Sequence, residues 1–375
     1  MKIAFLSTIA GFPWGGADFL WTRAAEAAVA RGDRLLLALS AETARHERVA
    51  ALVRQGAALS VQSPPPPLPT LAGRMLNRLW RPPFTSDGVV KALAAFQPDL
   101  VIVSCGATYD LAYFPEWTHW LASTRTPFRI IANWQQEQPS LPADETNEIL
   151  AVFSAVDLLA FVSTRNLEAT RRHLGLALPH ARVLHNPLRW QPADASPWPE
   201  NDVARLATVS RLDEGKGIHS LLEALASLPA SEPEWRLAVH GHGPQEPVLR
   251  GLVARLGLAP RIDFRGHVPA LRDIWADQQL LCSPALEDGV PMTIPEALLC
   301  GRPVLATCVG GATDWIEDGQ TGFLCPRGGV TELASTLQRA LAARAQWPQM
   351  GRAAAESARQ FYRPEDFQQL LAALA

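Results

Sequence analysis

Two cationic side chains stand close together in the segment 208–217, which reads Thr-Val-Ser-Arg-Leu-Asp-Glu-Gly-Lys-Gly. A strand is predicted to end at Ser210, and Arg211 and Lys216 follow in a polar loop just before a predicted helix. The positive end of the helix dipole adds to the two cations, so the segment favours an anion site, and two cations suit a diphosphate better than a carboxylate. The alternative is a solvated loop with two surface cations.

Two carboxylates lie in a second segment, 283–301, where a predicted strand leads into a Gly- and Pro-rich turn and then a helix. Asp288 lies in the turn and Glu296 in the first helical turns, so both can face one cleft. Backbone N–H groups near Pro291–Ile294 would point at the same ligand. Carboxylates beside an anion site suit a ligand that also has hydroxyl groups, as a nucleotide sugar has. The alternative for Glu296 is a partner for the helix dipole.

Short apolar runs alternate with helical patterns along the whole chain, which predicts βαβ units and two parallel sheets. A proline-rich stretch, 186–201, separates the two series and is interpreted as a linker. Ligands bind outside the carboxyl ends of parallel strands, so the expected site is the cleft between two such domains. The predicted strands are 3–7, 34–39, 57–61, 100–104, 128–132, 158–162, 181–184, 204–210, 235–240, 262–265, 279–283 and 303–306; the main predicted helices are 17–31, 217–228, 245–257 and 293–300.

The composition excludes several classes of protein. The 375 residues are 48% hydrophobic, which excludes disorder. The net charge of −3 argues against a nucleic-acid partner. The five cysteines show no C-x-x-C spacing, and no apolar run is long enough to span a bilayer, so we expect a reduced, cytoplasmic protein.

An ordered set of loops gives the sequence a specific resemblance. The chain resembles retaining glycosyltransferases of the GT-B fold and is most similar to glycosyltransferase family 4. The matching motifs are Gly15-Gly16-Ala17-Asp18, Ser163 with Asn166, Asn186-Pro187, Ser210-Arg211-Leu212 with Lys216-Gly217, Gly241-His242-Gly243-Pro244, Phe264-Arg265-Gly266-His267-Val268, Gly301-Arg302-Pro303-Val304, Gly310-Gly311 and Asp318-Gly319-Gln320-Thr321-Gly322.

The resemblance implies an α/β fold of two Rossmann-like parallel-sheet domains facing a central cleft. Residues 1–187 would bind the acceptor and be completed by a C-terminal helix, 361–375, while 188–360 would bind the donor. A hinge is expected near Asn186–Asn201, with closure on donor binding.

The implied reaction is transfer of a sugar from a nucleotide-diphosphate sugar to a hydroxyl acceptor, with retention of configuration and no cofactor. Arg211 and Lys216 would hold the diphosphate, Glu296 would accept from the ribose hydroxyls, and Asp288 would face the sugar. The remaining implied donor contacts are Ser210, Gly243, His267, Val268, Pro291, Met292 and Thr293; the implied acceptor contacts are Gly15, Gly16, Asp18, Asn133 and Gln135. No D-x-D occurs, so no metal site is expected.

The sequence departs from the family at two positions. Asp288 stands where Glu is usual, and its neighbour Glu287 is an alternative contact to the sugar. The His that many members carry after the fifth strand is replaced here by Asn133-Trp134-Gln135. These departures favour one alternative, a catalytically silent nucleotide-sugar-binding subunit. Another GT-B enzyme, such as a nucleotide-sugar epimerase or a sugar phosphorylase, is a separate alternative.

The segment 71–81 has arginines on one helical face and Leu, Met and Trp on the other. Two interpretations stay open: an amphipathic helix packed on its own domain, and a helix that lies on an anionic membrane surface beside a lipid-linked acceptor.

Overall fold

The computed structural model describes residues 1–9, 14–62, 87–134, 143–326 and 329–372. The contacts within the chain divide it into a first unit, Met1–Pro187 with Arg363–Ala375, and a second unit, Leu188–Tyr362. No helix among the described residues is long and apolar enough to cross a bilayer. The segment 71–81 lies outside the described residues, so both interpretations of it stay predictions.

The first unit is built on a parallel sheet in the strand order β3-β2-β1-β4-β5-β6-β7. Helices cover both faces, as a fully buried parallel sheet requires. The strands are β1 (Lys2–Ser7), β2 (Arg34–Ser40), β3 (Ala58–Gln62), β4 (Leu100–Ala107), β5 (Phe128–Trp134), β6 (Leu158–Phe161) and β7 (Ala181–Val183); the helices are α1 (Gly16–Ala30), α2 (Ala41–Ala44), α3 (Glu47–Arg54), α4 (Asp87–Phe96), α5 (Pro115–Ser123), α6 (Ala143–Ala155) and α7 (Thr164–Leu174).

The second unit repeats this plan with a parallel sheet in the order β10-β9-β8-β11-β12-β13. The strand order reverses at β8 and β11, and such a switch point places a crevice at the carboxyl ends of the strands. The strands are β8 (Ala204–Val209), β9 (Trp235–His240), β10 (Ile262–Gly266), β11 (Leu280–Ser283), β12 (Val304–Thr307) and β13 (Gly322–Cys325); the helices are α8 (Ile218–Ala226), α9 (Glu246–Arg255), α10 (Leu271–Trp275), α11 (Thr293–Leu299), α12 (Ala312–Trp315), α13 (Val330–Ala342) and α14 (Trp347–Phe361).

The prediction of two parallel α/β sheets is confirmed, and the predicted strands match β1 to β12 to within a few residues. The sequence prediction missed β13, because its four residues follow a Gly- and Asp-rich loop that gives no strand signal.

The predicted linker is partly wrong, because most of it packs on the second unit. Arg302 is 1% exposed. Its guanidinium donates to the carbonyl oxygens of Pro197 at 2.8 Å and Trp275 at 2.6 Å, and burial lowers the pKa of Arg302 to about 10. Residues after Leu188 are thus held by hydrogen bonds that a run of prolines does not reveal.

The predicted C-terminal helix 361–375 is also wrong in form. Helix α14 already ends at Phe361, and Pro364 follows, which cannot continue a helix. A 3₁₀ helix, Asp366–Leu370, then packs on the first unit, where Arg129 donates to the carbonyl oxygen of Gln369 at 2.8 Å.

Candidate functional site

A cavity of about 330 Å³ lies at the carboxyl ends of the strands in the second unit. It combines cationic, imidazole and hydroxyl groups with a few apolar side chains, the mixture that a polar anionic ligand with an organic ring needs. Its lining residues are Arg189, Val209, Ser210, Arg211, His240, Gly241, His242, His267, Val268, Ile274 and Thr293.

The strand-end loops approach one another closely at Gly241. This glycine has φ +124°, and a Cβ placed there would lie 1.8 Å from the carbonyl oxygen of Ser210. No side chain fits, so the loops after β8 and β9 meet only because the residue is glycine. The approach places Ser210 beside His242 at the cavity wall.

Arg211 lies at the cavity wall and is held by a local carboxylate. Its guanidinium forms an ion pair with Asp213, and 41% of its side chain stays exposed. An anionic ligand would therefore meet a cation whose position is already restricted, and it would compete with Asp213 for the guanidinium.

Lys216 and Asp288 form the second pair. Lys216 Nζ lies 2.5 Å from Asp288 Oδ2, and the two side chains are 26% and 16% exposed. The backbone supports the pair, since Leu286 N donates to the carbonyl oxygen of Gly215 at 2.8 Å. The loop after β11 is thus fastened to the loop after β8, and neither Lys216 nor Asp288 lines the cavity.

Glu296 is 1% exposed and is bound on both oxygens by Arg189. Arg189 Nε lies 3.1 Å from Oε1 and Nη2 lies 2.9 Å from Oε2. The hydrogen bonds to Glu296 raise the pKa of Arg189, although partial burial opposes this. Arg189 lines the cavity and Glu296 does not, so Glu296 acts on the cavity by orienting the Arg189 guanidinium.

His240 ends β9 and is 2% exposed. Neither ring nitrogen has a hydrogen-bond partner among the described residues. Burial, together with the positive charge of Arg265, lowers the pKa of His240 to about 4, so the ring is neutral at pH 7. The ring lies on the cavity wall with both nitrogens buried, so it adds an uncharged surface to the cavity and no cation.

The other predicted donor residues divide into two groups. Ser210, His267, Val268 and Thr293 line the cavity, and His267 N donates to His242 Nε2 at 3.2 Å. The remaining three, Gly243, Pro291 and Met292, do not line it.

The backbone ahead of α11 is partly bonded within itself. Ile294 N donates to the carbonyl oxygen of Pro291 at 2.9 Å, so the predicted cradle of backbone N–H groups is smaller than the sequence suggested. Glu287, the alternative sugar contact, is exposed.

The predicted acceptor residues at the start of α1 form a helix cap. Asp18 is 2% exposed, its Oδ2 accepts from Gly15 N at 3.0 Å, and its Oδ1 accepts from Trp21 Nε1 at 3.3 Å. Burial raises the pKa of Asp18 even though these bonds oppose the shift. Both oxygens of Asp18 serve the cap, while Gly15 and Gly16 expose part of their backbone.

Asn133 near the end of β5 is 4% exposed. Its Nδ2 donates to the carbonyl oxygen of Cys105 at 2.9 Å and to Ser104 Oγ at 3.2 Å, whereas its Oδ1 is buried and finds no hydrogen-bond partner in the part of the chain that the structure describes. Gln135 lies outside the described residues.

Sequence reasoning missed Arg189, Asp213 and His240. Arg189 lies in the segment interpreted as a linker, and its partner Glu296 is 107 positions away, so no spacing connects them. His240 had a signal, because it is the last residue of a predicted strand and precedes Gly241-His242-Gly243.

Among the described residues, no three His, Cys, Asp or Glu side chains form a group that could hold a metal ion. Four of the five cysteines, Cys105, Cys282, Cys300 and Cys325, are buried free thiols.

The second unit contains a stretch that is similar to a known family. Residues 204–343 match the family described as glycosyl transferases group 1. An exopolysaccharide phosphotransferase of Streptomyces coelicolor is 28% identical over 63% of this chain and 25% of its own length. A D-inositol 3-phosphate glycosyltransferase of Kribbella flavida is 32% identical over 43% of this chain and 40% of its own length. The chain thus spans well under half of these curated relatives.

Solved structures match over nearly the entire chain. Anabaena HepE in complex with UDP has a TM-score of 0.73 at 21% identity, covering 99% of this chain and 98% of that one. The lipopolysaccharide outer core galactosyltransferase WaaB has a TM-score of 0.68 at 18% identity, covering 99% and 98%. The chain has the GT-B fold, and its second unit carries a region similar to the glycosyl transferases group 1.

Proposed function

We propose that this protein is a retaining glycosyltransferase that moves a sugar from a nucleotide-diphosphate sugar to a hydroxyl acceptor, in the biosynthesis of a polysaccharide or glycoconjugate. The supporting observation is the cavity at the carboxyl ends of β8 to β10. Arg211 and Arg189 line it, and nearly all of it lies within the stretch similar to glycosyl transferases group 1. A structural neighbour, Anabaena HepE, was solved with UDP-glucose.

The diphosphate is proposed to bind at Arg211 and Lys216. Each cation is held by a carboxylate, Asp213 or Asp288, so donor binding exchanges one anionic partner for another. Both cations act most strongly when the C1–O bond to the diphosphate breaks and the negative charge on the leaving group grows. Groups that stabilise charge developing in the transition state raise turnover, not only affinity.

The acceptor hydroxyl is proposed to attack C1 on the face that the diphosphate leaves, with its proton passing to a donor phosphate oxygen. The retaining outcome is proposed from the resemblance to family 4. No divalent metal is proposed, because Arg211 and Lys216 supply the positive charge that a metal supplies elsewhere.

Glu296 and Arg189 are proposed to act as one unit on the donor: Glu296 accepts from the ribose hydroxyls, and the Arg189 guanidinium faces the phosphates. Since Arg189 occupies both oxygens of Glu296, a ribose hydroxyl must share Oε1 or Oε2 with the guanidinium. Asp288 is proposed to face the sugar once the diphosphate has taken over Lys216.

The acceptor is proposed to bind the first unit near Gly15, Gly16 and Asn133. The Oδ1 of Asn133 is a buried acceptor that has no hydrogen-bond partner among the described residues, and an acceptor hydroxyl that reached it would satisfy it. The sugar or lipid-linked nature of the acceptor, a cytoplasmic location and a membrane contact through 71–81 are proposals from the sequence.

The test measures nucleotide release and product with UDP-, GDP-, ADP- and TDP-sugars, after a thermal-shift screen has selected the donor. We expect one sugar nucleotide to raise the melting temperature and to yield a glycoside with retained configuration. Arg272→Ala is the matched control, because Arg272 is 69% exposed and lies outside the cavity. Binding of no sugar nucleotide, or binding that Arg211→Ala leaves unchanged, contradicts the proposal.

A second candidate is transfer of a phosphosugar, because the relative that aligns over 63% of this chain is named an exopolysaccharide phosphotransferase. Attack on the β-phosphorus breaks the P–O–P bond and releases a nucleoside monophosphate, whereas attack on C1 releases a nucleoside diphosphate. Chromatography of the released nucleotide therefore separates the two reactions directly.

A further inference from the structure

A second cavity, of about 240 Å³, lies on the same unit and shares no lining residue with the first cavity. Four arginines line it: Arg205, Arg236, Arg261 and Arg265. Arg205 and Arg236 are the second residues of β8 and β9, and Arg261 directly precedes β10. This arginine pocket therefore lies toward the amino ends of the strands. The first cavity, in which we propose that the donor binds and which we call the donor cavity, lies at their carboxyl ends.

The positive charge in the arginine pocket is poorly compensated. Arg265 is paired with Asp263 at 2.9 Å and with Asp277 at 3.0 Å. Among the described residues, no carboxylate oxygen lies within the 4.0 Å ion-pair limit of Arg205, Arg236 or Arg261. The pocket thus presents three uncompensated guanidinium groups.

The positive charges of Arg205 and Arg236 repel each other. The two residues are register partners on adjacent parallel strands, so their charged side chains stand side by side. Like charges opposite each other on neighbouring strands are destabilising. The Nε of Arg205 is in addition buried and has no hydrogen-bond partner among the described residues, so part of this cation is desolvated without compensation.

Arg261 is held in place by an aromatic ring. Its guanidinium carbon lies 5.1 Å from the centre of the Trp235 ring. Such a cation–π contact restricts the position of the guanidinium group, while its N–H groups can still donate hydrogen bonds in the guanidinium plane.

We propose that the arginine pocket is a binding site for a phosphate group carried by a small soluble molecule, separate from the donor cavity. Arginine forks match the oxygens of phosphate in bidentate geometry, and a dianion is the smallest ligand that balances most of the three uncompensated charges. The side chains of Asp263 and Gln278, which also line the pocket, would accept from hydroxyl groups on the rest of the ligand. Occupancy would stabilise β8 to β10, the strands whose opposite ends carry the donor cavity.

The test uses the full chain with Arg211→Ala and Lys216→Ala, so that the proposed donor site loses the two cations assigned to the diphosphate. Inorganic phosphate is titrated by calorimetry at constant ionic strength, with chloride as the balancing anion. We expect saturable binding, weakened at least about tenfold by Arg205→Gln with Arg236→Gln, because each lost arginine removes a charge-assisted hydrogen bond. Arg272→Gln, outside the pocket, is the matched control and should bind as the parent does.

Two further measurements test whether a loss of binding reflects misfolding and whether the phosphate belongs to a lipid. Arg261→Gln changes an exposed residue outside the strands and should weaken binding severalfold without loss of folding. Flotation of the protein with phosphatidylglycerol vesicles distinguishes a soluble phosphate ester from a lipid headgroup. Phosphate binding without flotation of the protein supports the soluble ester. Flotation that is lost in the Arg205/Arg236 variant assigns the pocket to a lipid headgroup and overturns the proposal of a soluble ligand. Absence of saturable binding, or binding equal in parent and Arg205/Arg236 variant, overturns the proposal.

Discussion

Because Arg189 and Glu296 differ in exposure, we expect neutralising one or the other to change the free energy of unfolding by different amounts. Glu296 is 1% exposed, whereas the side chain of Arg189 is 38% exposed. Removing the charge of Arg189 leaves a buried carboxylate without its partner, which costs about 3–5 kcal/mol. Removing the charge of Glu296 leaves a cation that water still reaches, so Glu296→Gln should cost only about 1.5–2 kcal/mol, the lower range for hydrogen bonds to charged groups.

The double variant decides whether the pair acts as a unit. Arg189→Gln with Glu296→Gln places no charge in the buried position, so it should be more stable than Arg189→Gln alone. The interaction energy must then exceed the cost of Glu296→Gln itself, and we expect about 3 kcal/mol, from the free energies of unfolding of the four proteins in urea.

A matched control comes from the surface of the same unit. Arg339 and Asp318 form a bidentate pair at 2.7 and 2.9 Å, yet both side chains are more than 40% exposed. Asp318→Asn should therefore change the free energy of unfolding by less than about 1 kcal/mol. Additive effects of Arg189→Gln and Glu296→Gln, or equal costs for Glu296→Gln and Asp318→Asn, would refute the reasoning from burial.

Three further predictions concern activity and pH. Arg211→Ala or Lys216→Ala should lower kcat about a hundredfold, as lost electrostatic stabilisers do, and near-normal turnover in both would remove the diphosphate assignment. Transfer should survive EDTA; loss that magnesium or manganese restores would disprove the cation-only reaction. The pKa of His240 falls from 6.5 to about 4 on folding. Below pH 6.5 the unfolded chain therefore binds a proton that the folded chain binds only near pH 4, and stability should fall by up to about 3 kcal/mol across that window. His240→Gln should lack this loss in urea titrations at pH 7 and pH 4.5, and parallel curves for the two proteins would contradict it.

The sheets were predictable because their strands are short apolar runs between helices, a pattern that local sequence carries. The strand β13 and the 3₁₀ helix Asp366–Leu370 were not, since four or five residues leave too little pattern. The segment after Leu188 was mistaken for a free linker because its hydrogen bonds come from Arg302, more than 100 positions away.

The candidate site was predictable where chemistry is local. Arg211 and Lys216 stand in one loop, and the loop's polarity marks them. The ion pairs of the two carboxylates were not predictable, because a sequence does not show that Asp288 reaches Lys216 or that Glu296 reaches Arg189. Asp18 was likewise assigned to the acceptor, although three-residue spacing from Gly15 also suits a helix cap.

The tail that follows α14 has a consequence for how the protein is made. The second unit is one continuous stretch, Leu188–Tyr362, and has all its residues before the tail is synthesised. The first unit is complete only when the residues from Arg363 onward have been added. The carbonyl oxygens of Gln369 and Ala372 accept hydrogen bonds from the Arg129 guanidinium, and Asp366 accepts from His185 N at 2.8 Å. On the ribosome, the unit that emerges first is therefore completed last. A released chain that ends at Tyr362 should protect its second unit from protease while β5 and β7 remain the more easily cleaved part, and the chain that includes the tail should lack this difference.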